Sequence, residues 1–377
     1  MKIIKKFLRR AGQKALYIYK NAEINRKIAH IYKLNKKIYE GSCDQKNLMA
    51  HKNKWSVLKK GVNGKWFKVF STISDNNDIN FVPEDIYYLI IEPKMNNPDF
   101  ILAYKDKNLY EKRYDKNLFP KTLLRNIDGV YYDRDYRPLV FEEINNPIYK
   151  CLNNESTIII KPTVASGGGA NVQLFRKEKD LYVNSKNEAL SLNFLRENYR
   201  KNFIIQAYLN QHSYFRQFNC SSINTVRIFT YRSVRTEETK VLHAVQRVGR
   251  SGSIVDNQAS GGISCGINRD GKLNDFAVDK YGRVYKASDS GLLFRNAGNV
   301  PKFDEMKRIA KDIAGENFYA RLLGFDFCVD NDDNIKLIEI NNKNLEINFL
   351  QMNNGPLFDV YTDEVIEYCL KTINSHG

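Results

Sequence analysis

The stretch GFDFCVDNDDNIKLIEINNKN (residues 324–344) sets two apolar runs on either side of an Asp/Asn-rich cluster, and each run carries an acid. "FDFCV" and "IKLIEI" are rich in β-branched and aromatic residues, and "DNDDN" between them is turn-forming, so the stretch predicts a β-hairpin. A turn centred on Asp332 and Asp333 pairs Asp326 directly with Glu339, where like charges repel across the ladder. Asn341, two residues on, shares the face of Glu339. A cation is one compensation: oxygen ligands on one face suit Mg²⁺, which takes one or two carboxylates plus substrate phosphates. The other reading is a solvated hairpin face with an ordinary acidic turn. An EF-hand is excluded, because a loop starting at Asp330 has Ile335 where glycine is required and Asn341 where the bidentate Glu belongs.

The chain has 377 residues, room for two or three packed units, and 42% hydrophobic residues, enough for a real core. No apolar run approaches the length of a transmembrane helix, and the charged N-terminus lacks the apolar stretch of a secretory signal. Six cysteines (Cys43, Cys151, Cys220, Cys265, Cys328 and Cys369) lie far apart with no C-x-x-C pair, and read as reduced thiols of a cytoplasmic protein. The net charge of +16 is uneven: residues 1–37 hold twelve Lys/Arg and one acid, Glu23. Apolar residues in that segment (Ile3, Phe7, Leu8, Leu16, Tyr19, Ile24, Ile28, Ile31, Leu34) are spaced broadly as on a helix. A basic amphipathic helix reads either as a peripheral contact with an anionic membrane or as a helix docked on its own protein with a solvated basic face. Nucleic acid is not expected as a partner.

Along the chain, residues 1–45 form the basic helical segment. Short apolar runs between residues 66 and 104 predict a small α/β unit within an N-terminal region spanning 46–140. The remainder, 141–372, alternates strands and helices. "STIIIKPTVASGGGANVQLF" (residues 156–175) reads strand, glycine loop, strand. It places Lys161 at a strand end just ahead of Gly167, Gly168 and Gly169. Such glycines let backbone N–H groups approach phosphate oxygens, and the lysine adds charge; a flexible surface turn is the alternative. "NFIIQAYLNQH" (residues 202–212) is an apolar strand with a polar exit, either a core strand or an edge able to read adenine through its backbone. Arg227 and Arg247 each interrupt an apolar strand. Their planar donors suit phosphate or carboxylate, or else a structural acid.

In this order the features resemble the ATP-grasp superfamily of carboxylate–amine ligases. The most specific match is Asp326, then Glu339 thirteen residues on, then Asn341. The wider context, "LLRNIDGVYYDRDYRPL", "IIIKPTVASGGGANV", "SINTVRIFTYR", "VDNQASGGI" and the opening hairpin, is similar to the sugar-transfer-associated ATP-grasp family of polysaccharide gene clusters. The resemblance implies an α+β fold in which two subdomains grip ATP, beside a smaller N-terminal region. It implies that Lys161 and the loop of Gly167, Gly168 and Gly169 hold the phosphates. Gln206 with the backbone at Ala207, Tyr208 and Leu209 is implied as the adenine hinge. Arg227 and Arg247 would steady the transferred phosphate. Asn257, Gly261 and Gly262 would border the acceptor, and Asp326, Glu339 and Asn341 would hold two Mg²⁺ ions. Lys121 suits the first nucleotide lysine, with Arg125 as competitor, and His212 is the candidate for the ribose. The activity implied is ATP-dependent amide formation on a small or lipid-linked sugar carboxylate. Phosphotransfer without ligation and a non-catalytic nucleotide-binding scaffold at the membrane are the alternatives.

Overall fold

The computed structural model describes residues 2–41, 43–140, 148–152, 154–164, 169, 171–253, 256 and 260–374, and the side chains of all these except 2–10, 13, 102, 103 and 372–374. Gly167, Gly168 and Asn257 lie outside the described residues, as do the side chains of Ile3, Phe7 and Leu8.

The chain opens with a long helix, α1 (Lys2–Leu34), followed by helices Gln45–Ser56 and Lys65–Ser74 and by a run of short helical turns to Arg113. The sequence reading of an α/β unit at 66–104 differs from this: among the described residues no strand precedes Thr122. The reason lies in the period. Trp66, Phe67, Val69 and Phe70 are all buried, and adjacent apolar pairs three to four residues apart make one face of a helix, not alternate faces of a strand. They pack with Trp55, Phe81 and Tyr87, and with Ile28, Ile31 and Tyr32 of the second half of α1.

Fourteen strands follow: β1 (Thr122–Ile127), β2 (Val130–Tyr132), β3 (Pro138–Leu139), β4 (Thr157–Pro162), β5 (Gln173–Glu178), β6 (Leu181–Asn184), β7 (Phe203–Ala207), β8 (Thr225–Arg232), β9 (Thr239–Val248), β10 (Ile263–Ile267), β11 (Leu273–Val278), β12 (Val284–Tyr285), β13 (Leu322–Val329) and β14 (Ile335–Asn341). They form two seven-stranded sheets, ordered β3-β2-β1-β7-β4-β5-β6 and β12-β11-β10-β9-β8-β13-β14. This is a mixed α+β fold. In the first sheet Ile158, Ile160, Phe175, Phe203 and Ile205 pack on Phe194 and Leu195 of the helix Leu192–Asn198. By strand alternation Thr157 and Lys161 occupy the other face.

The second sheet is buried on both sides, and β8 and β13 are buried along their whole length. Val226, Ile228, Phe325 and Phe327 pack on Met306, Ala310 and Ile313 of the helix Phe303–Gly315. The opposite face divides. Phe229, Tyr231, Val245 and Leu322 are covered by the N-terminal helices. The rest of that face carries Arg227, Arg247, Asp326 and Glu339. The two sheets are tied where β7 exits: His212 N–H donates to Val329 O at 2.9 Å and Asn331 N–H to Asn210 O at 2.9 Å.

One buried amide staples the N-terminal layer to the second sheet. Asn96 Nδ2 donates to Leu322 O (2.8 Å) and Asn342 O (2.7 Å), while its Oδ1 accepts from Arg321 N–H and Leu322 N–H, both at 2.9 Å. Replacing it removes a partner from four backbone groups, of which Arg321 N–H keeps Met95 O at 3.1 Å. Asn96→Leu is therefore expected to cost about 3 kcal/mol, read as a lowered denaturant midpoint; an unchanged midpoint would refute the staple.

Candidate active site

The hairpin pairs Asp326 with Glu339 and Gly324 with Asn341, as the sequence leads one to expect. The route differs. Near the turn Phe327 faces Leu337 and Val329 faces Ile335, so the loop centres on Asp332 alone. It is held by Asp330 Oδ1, which accepts from Asp332 N–H (3.0 Å) and Asn334 N–H (2.8 Å). The register then shifts between Asp326 and Phe327, leaving Ile338 as the extra residue of a bulge. That bulge restores the pairing and sets Glu339 opposite Asp326.

Three cations answer the repulsion. Arg227 grips Asp326 with two prongs, Nε to Oδ1 at 2.7 Å and Nη2 to Oδ2 at 2.8 Å. Arg247 Nη1 donates to the same Oδ2 at 3.0 Å, and Asn341 Nδ2 lies 3.4 Å from it. Lys107 Nζ donates to Glu339 Oε1 at 2.6 Å. Burial pushes the Asp326 carboxyl up, but Arg227 and Arg247 outweigh it and hold the group below the usual carboxylate range. Burial likewise pushes Glu339 up, and Lys107 outweighs it. Outer partners fix the guanidinium groups: Arg227 Nη1 donates to Glu346 Oε2 at 3.0 Å, and Arg247 Nη2 lies 3.5 Å from Asp256 Oδ1. Asp256 is itself bound by Thr225 N–H (2.9 Å) and Thr225 Oγ1.

Lys161 faces this cluster from the first sheet. Burial, then the neighbouring Lys107, push its ammonium down to about 8, against the pull of Glu339. Lys105 is lowered in the same way by burial and by Lys343. Arg247 Nε is buried and has no acceptor among the described residues. A buried guanidinium donor left open in a cluster of lysines is chemistry for an incoming anion.

The other expected site residues are dispersed. Lys121 Nζ pairs with Glu155 at 2.7 Å, half exposed. Arg125 is fully buried, paired with Glu111 and 4.1 Å from the Tyr136 ring. The Gln206 side chain donates to Pro120 O at 3.1 Å, so it locks β7 to the entry of β1. At the hinge, Ala207 N–H donates to Lys121 O and Tyr208 N–H to Thr157 O, while the Leu209 N–H has no acceptor among the described residues. His212 Nδ1 accepts from Tyr214 N–H at 3.1 Å and caps the short helix Ser213–Arg216. Gly261, with φ +90°, offers its carbonyl to Arg250 Nε at 2.8 Å, and Gly262 is buried ahead of β10. Gly169 has φ +71°.

Lys107, Asp256 and Glu346 were not singled out in the sequence. Lys107 follows Asp106, which caps a short helical turn by accepting from Asn108 N–H, and an Asp-Lys pair at a helix start was the available signal. A cleft of about 760 Å³ opens between the sheets, lined by Thr157, Leu174, Arg176, Tyr208, Cys220 and Ser221 among others. It meets the end of β7 that carries the hinge and the end of β4 opposite Lys161, and none of Lys161, Arg227, Arg247, Asp326 or Glu339 lines it.

Glu339 Oε2 and Asn341 Oδ1 carry no hydrogen bond among the described residues, whereas both Asp326 oxygens are engaged by guanidinium groups. Among the described residues no group of three His, Cys, Asp or Glu is placed to hold a metal. Two free oxygens with one shared carboxylate fit Mg²⁺, which binds through few protein ligands and completes its shell with water and phosphate.

A model of the sugar-transfer associated ATP-grasp family matches residues 91–364. Solved structures similar to the chain include N5-carboxyaminoimidazole synthetase from Staphylococcus aureus complexed with ADP (11% identity, TM-score 0.37, 71% of this chain and 51% of that one). They include the ATP-grasp ligase PsnB complexed with precursor peptide PsnA2 and AMPPNP (14%, 0.38, 72% and 62%). D-alanyl-alanine synthetase A from Vibrio cholerae is a third (9%, 0.37, 71% and 65%). The chain thus spans less than two-thirds of each of these proteins. No curated protein matches it. With most of its length matched by the family model, the chain belongs to the sugar-transfer associated ATP-grasp family.

Proposed function

We propose that the chain is an ATP- and Mg²⁺-dependent carboxylate–amine ligase that works through an acyl-phosphate. The observation that carries this is the open Arg247 Nε beside Lys107 and Lys161, in a cluster whose acids keep two oxygens free. In the first step a substrate carboxylate oxygen attacks the γ-phosphorus of ATP; an O–P bond forms and ADP leaves. In the second an amine attacks the acyl carbon through a tetrahedral intermediate. Phosphate leaves, the amine loses a proton, and an amide remains.

The protein's part is positioning and charge neutralisation. Leu209 N–H meets the adenine edge. Lys161 and Lys107 hold the phosphates, Lys107 taking the place that the sequence offered to Lys121 or Arg125. Arg247 and Arg227, oriented by Asp326, steady the transferred phosphoryl group. Gly261 and Gly262 border the acceptor; the family resemblance would give the glycine loop of residues 167–169 the phosphates to cover and Asn257 a place at the acceptor. Two Mg²⁺ ions held by Glu339, Asn341 and the shared Asp326 would neutralise charge on the β- and γ-phosphates. The carboxylate in this reading is a sugar acid of the uronic type, free or lipid-linked, joined to an amino acid or amine in surface polysaccharide synthesis on the cytoplasmic side; the family's description supports its association with sugar transfer.

The direct test supplies ATP, Mg²⁺, uronic-acid sugars and amino acids. Equal amounts of ADP, phosphate and amide support ligation; ADP with a phosphorylated sugar and no free phosphate makes the protein a kinase; no turnover with any pair rejects both. Glu339→Gln, a same-sized neutral ligand, is expected to lower turnover on the order of 100-fold with unchanged melting temperature. Lys107→Met should weaken ADP binding by about tenfold, while Lys121→Met, which breaks only a half-exposed ion pair, should leave it unchanged; calorimetry giving the reverse order would return the role to Lys121. The free Lys161 ammonium titrates at about 8. Phosphate raises that value, so metal-free ADP binding should take up a proton near pH 8 and weaken as pH rises through it. Binding heats independent of the buffer's ionisation enthalpy would contradict this.

A further inference from the structure

Helix α1 changes its surroundings halfway along. From Asn21 onward its apolar and amide contacts with the body come from one stripe: Asn21 accepts from Lys59 Nζ, Asn25 from Asn63 Nδ2, and Ile24, Ile28, Ile31 and Tyr32 join the core, while Lys27 reaches Glu84 and His30 the Tyr281 ring from beside it. Ahead of it, residues 11, 12 and 14–20 are exposed, with Ile18 and Tyr19 at 58% and 64%. In the sequence of this first half apolar residues recur at positions 3, 4, 7, 8, 11, 15, 18 and 19, the spacing of one helical face. Lys2, Lys5, Lys6, Arg9 and Lys20 fall on the opposite face; Arg10 flanks the apolar stripe, Lys14 interrupts it, and Leu16 and Tyr17 are the apolar exceptions.

At 3.6 residues per turn, this apolar stripe is centred roughly 110° around the axis from the docked stripe. A helix made only to pack on its own body would keep its apolar residues on the docked side. Residues 1–20 also hold seven Lys/Arg and no acid. A second copy of the helix would bring seven cations against seven, with no acid among them to offset the repulsion. A nucleic acid would use the cations and leave the apolar stripe in water. An anionic lipid surface uses both, with the apolar side chains at the acyl boundary and the cations among the headgroups. Among the described residues no helix is long and apolar enough to cross a membrane.

We propose that residues 2–20 of α1, about 28 Å of helix, lie flat on an anionic lipid surface with the stripe through Ala11, Ala15 and Ile18 facing the acyl chains. This stands independently of the ligase reading. The full chain is mixed with vesicles of phosphatidylcholine alone and with vesicles that also contain phosphatidylglycerol, at low and high salt. Binding is expected only to the anionic vesicles, falling about tenfold or more at high salt. Ile18→Trp should show a blue-shifted emission on binding. The double variant Phe7→Asp, Ile18→Asp should lose at least about tenfold in binding with unchanged melting temperature and ADP affinity. Absence of binding, an unmoved tryptophan emission, or full binding by the double variant would each overturn the proposal. So would a dimer that the double variant dissolves, which assigns the stripe to a second copy, or displacement of vesicles by RNA on the same face.

Discussion

The second sheet is organised around one carboxylate that cannot be ionised alone. Asp326 is 3% exposed, on a strand buried along its length. An isolated charge there would be neutralised or expelled. Arg227, its ladder partner on β8, and Arg247, on β9, converge on it and keep it ionised. The three strands must therefore hold register to within a residue, because a slip on any one would turn its charged group to the apolar face against the helix Phe303–Gly315. Breaking one member would leave the others charged and buried, which is costlier than never having built the cluster.

The two opposed acids are compensated in different ways. Asp326 takes its cations from its own sheet, fixed by backbone register. Glu339 takes Lys107 from the segment ahead of the first sheet, whose backbone N–H also bonds Thr163 O at the end of the Lys161 strand. The first arrangement is rigid. The second joins two bodies through one flexible side chain, and a lysine can move from carboxylate to phosphate without stranding either charge. Asp326 is thus held by backbone register, and Glu339 by a single side chain from outside its sheet. The two hydrogen-bond-free oxygens also lie on Glu339 and Asn341, not on Asp326.

Much of this was legible because strand periodicity assigns faces. Arg227 and Arg247 stood out as charges inside apolar strands, and Asp326 opposite Glu339 followed from the turn. That pairing holds through two offsetting departures, a loop closed one residue earlier than expected and a bulge at Ile338. Periodicity does not report what lies across a cleft, so it does not bring Lys107 or Asp256 to the site. It also cannot tell which backbone group a polar side chain will meet: Gln206 lies on the cleft side of β7 yet spends its amide on Pro120 O. In the N-terminal region short apolar runs were read with a period of two, although the paired aromatics Trp66 and Phe67 already fitted a helix.

The basic N-terminus is explained in part from inside the fold. Glu84 and Asp85 are buried side by side, and Glu346, which braces Arg227, adds a further acid within their field. Burial pushes the Glu84 carboxyl up, and Lys27 of α1 opposes it from 3.0 Å. Lys59, which also holds Asn21 of α1, answers Asp85. The docked half of α1 thus supplies a cation to an acidic floor that adjoins the site, and that charge is not free for any outside partner. The residues ahead of Asn21 meet no such floor in the described side chains. The excess charge of the segment and its misaligned apolar stripe therefore reside in the same half of the helix, the half that packing within the chain does not use.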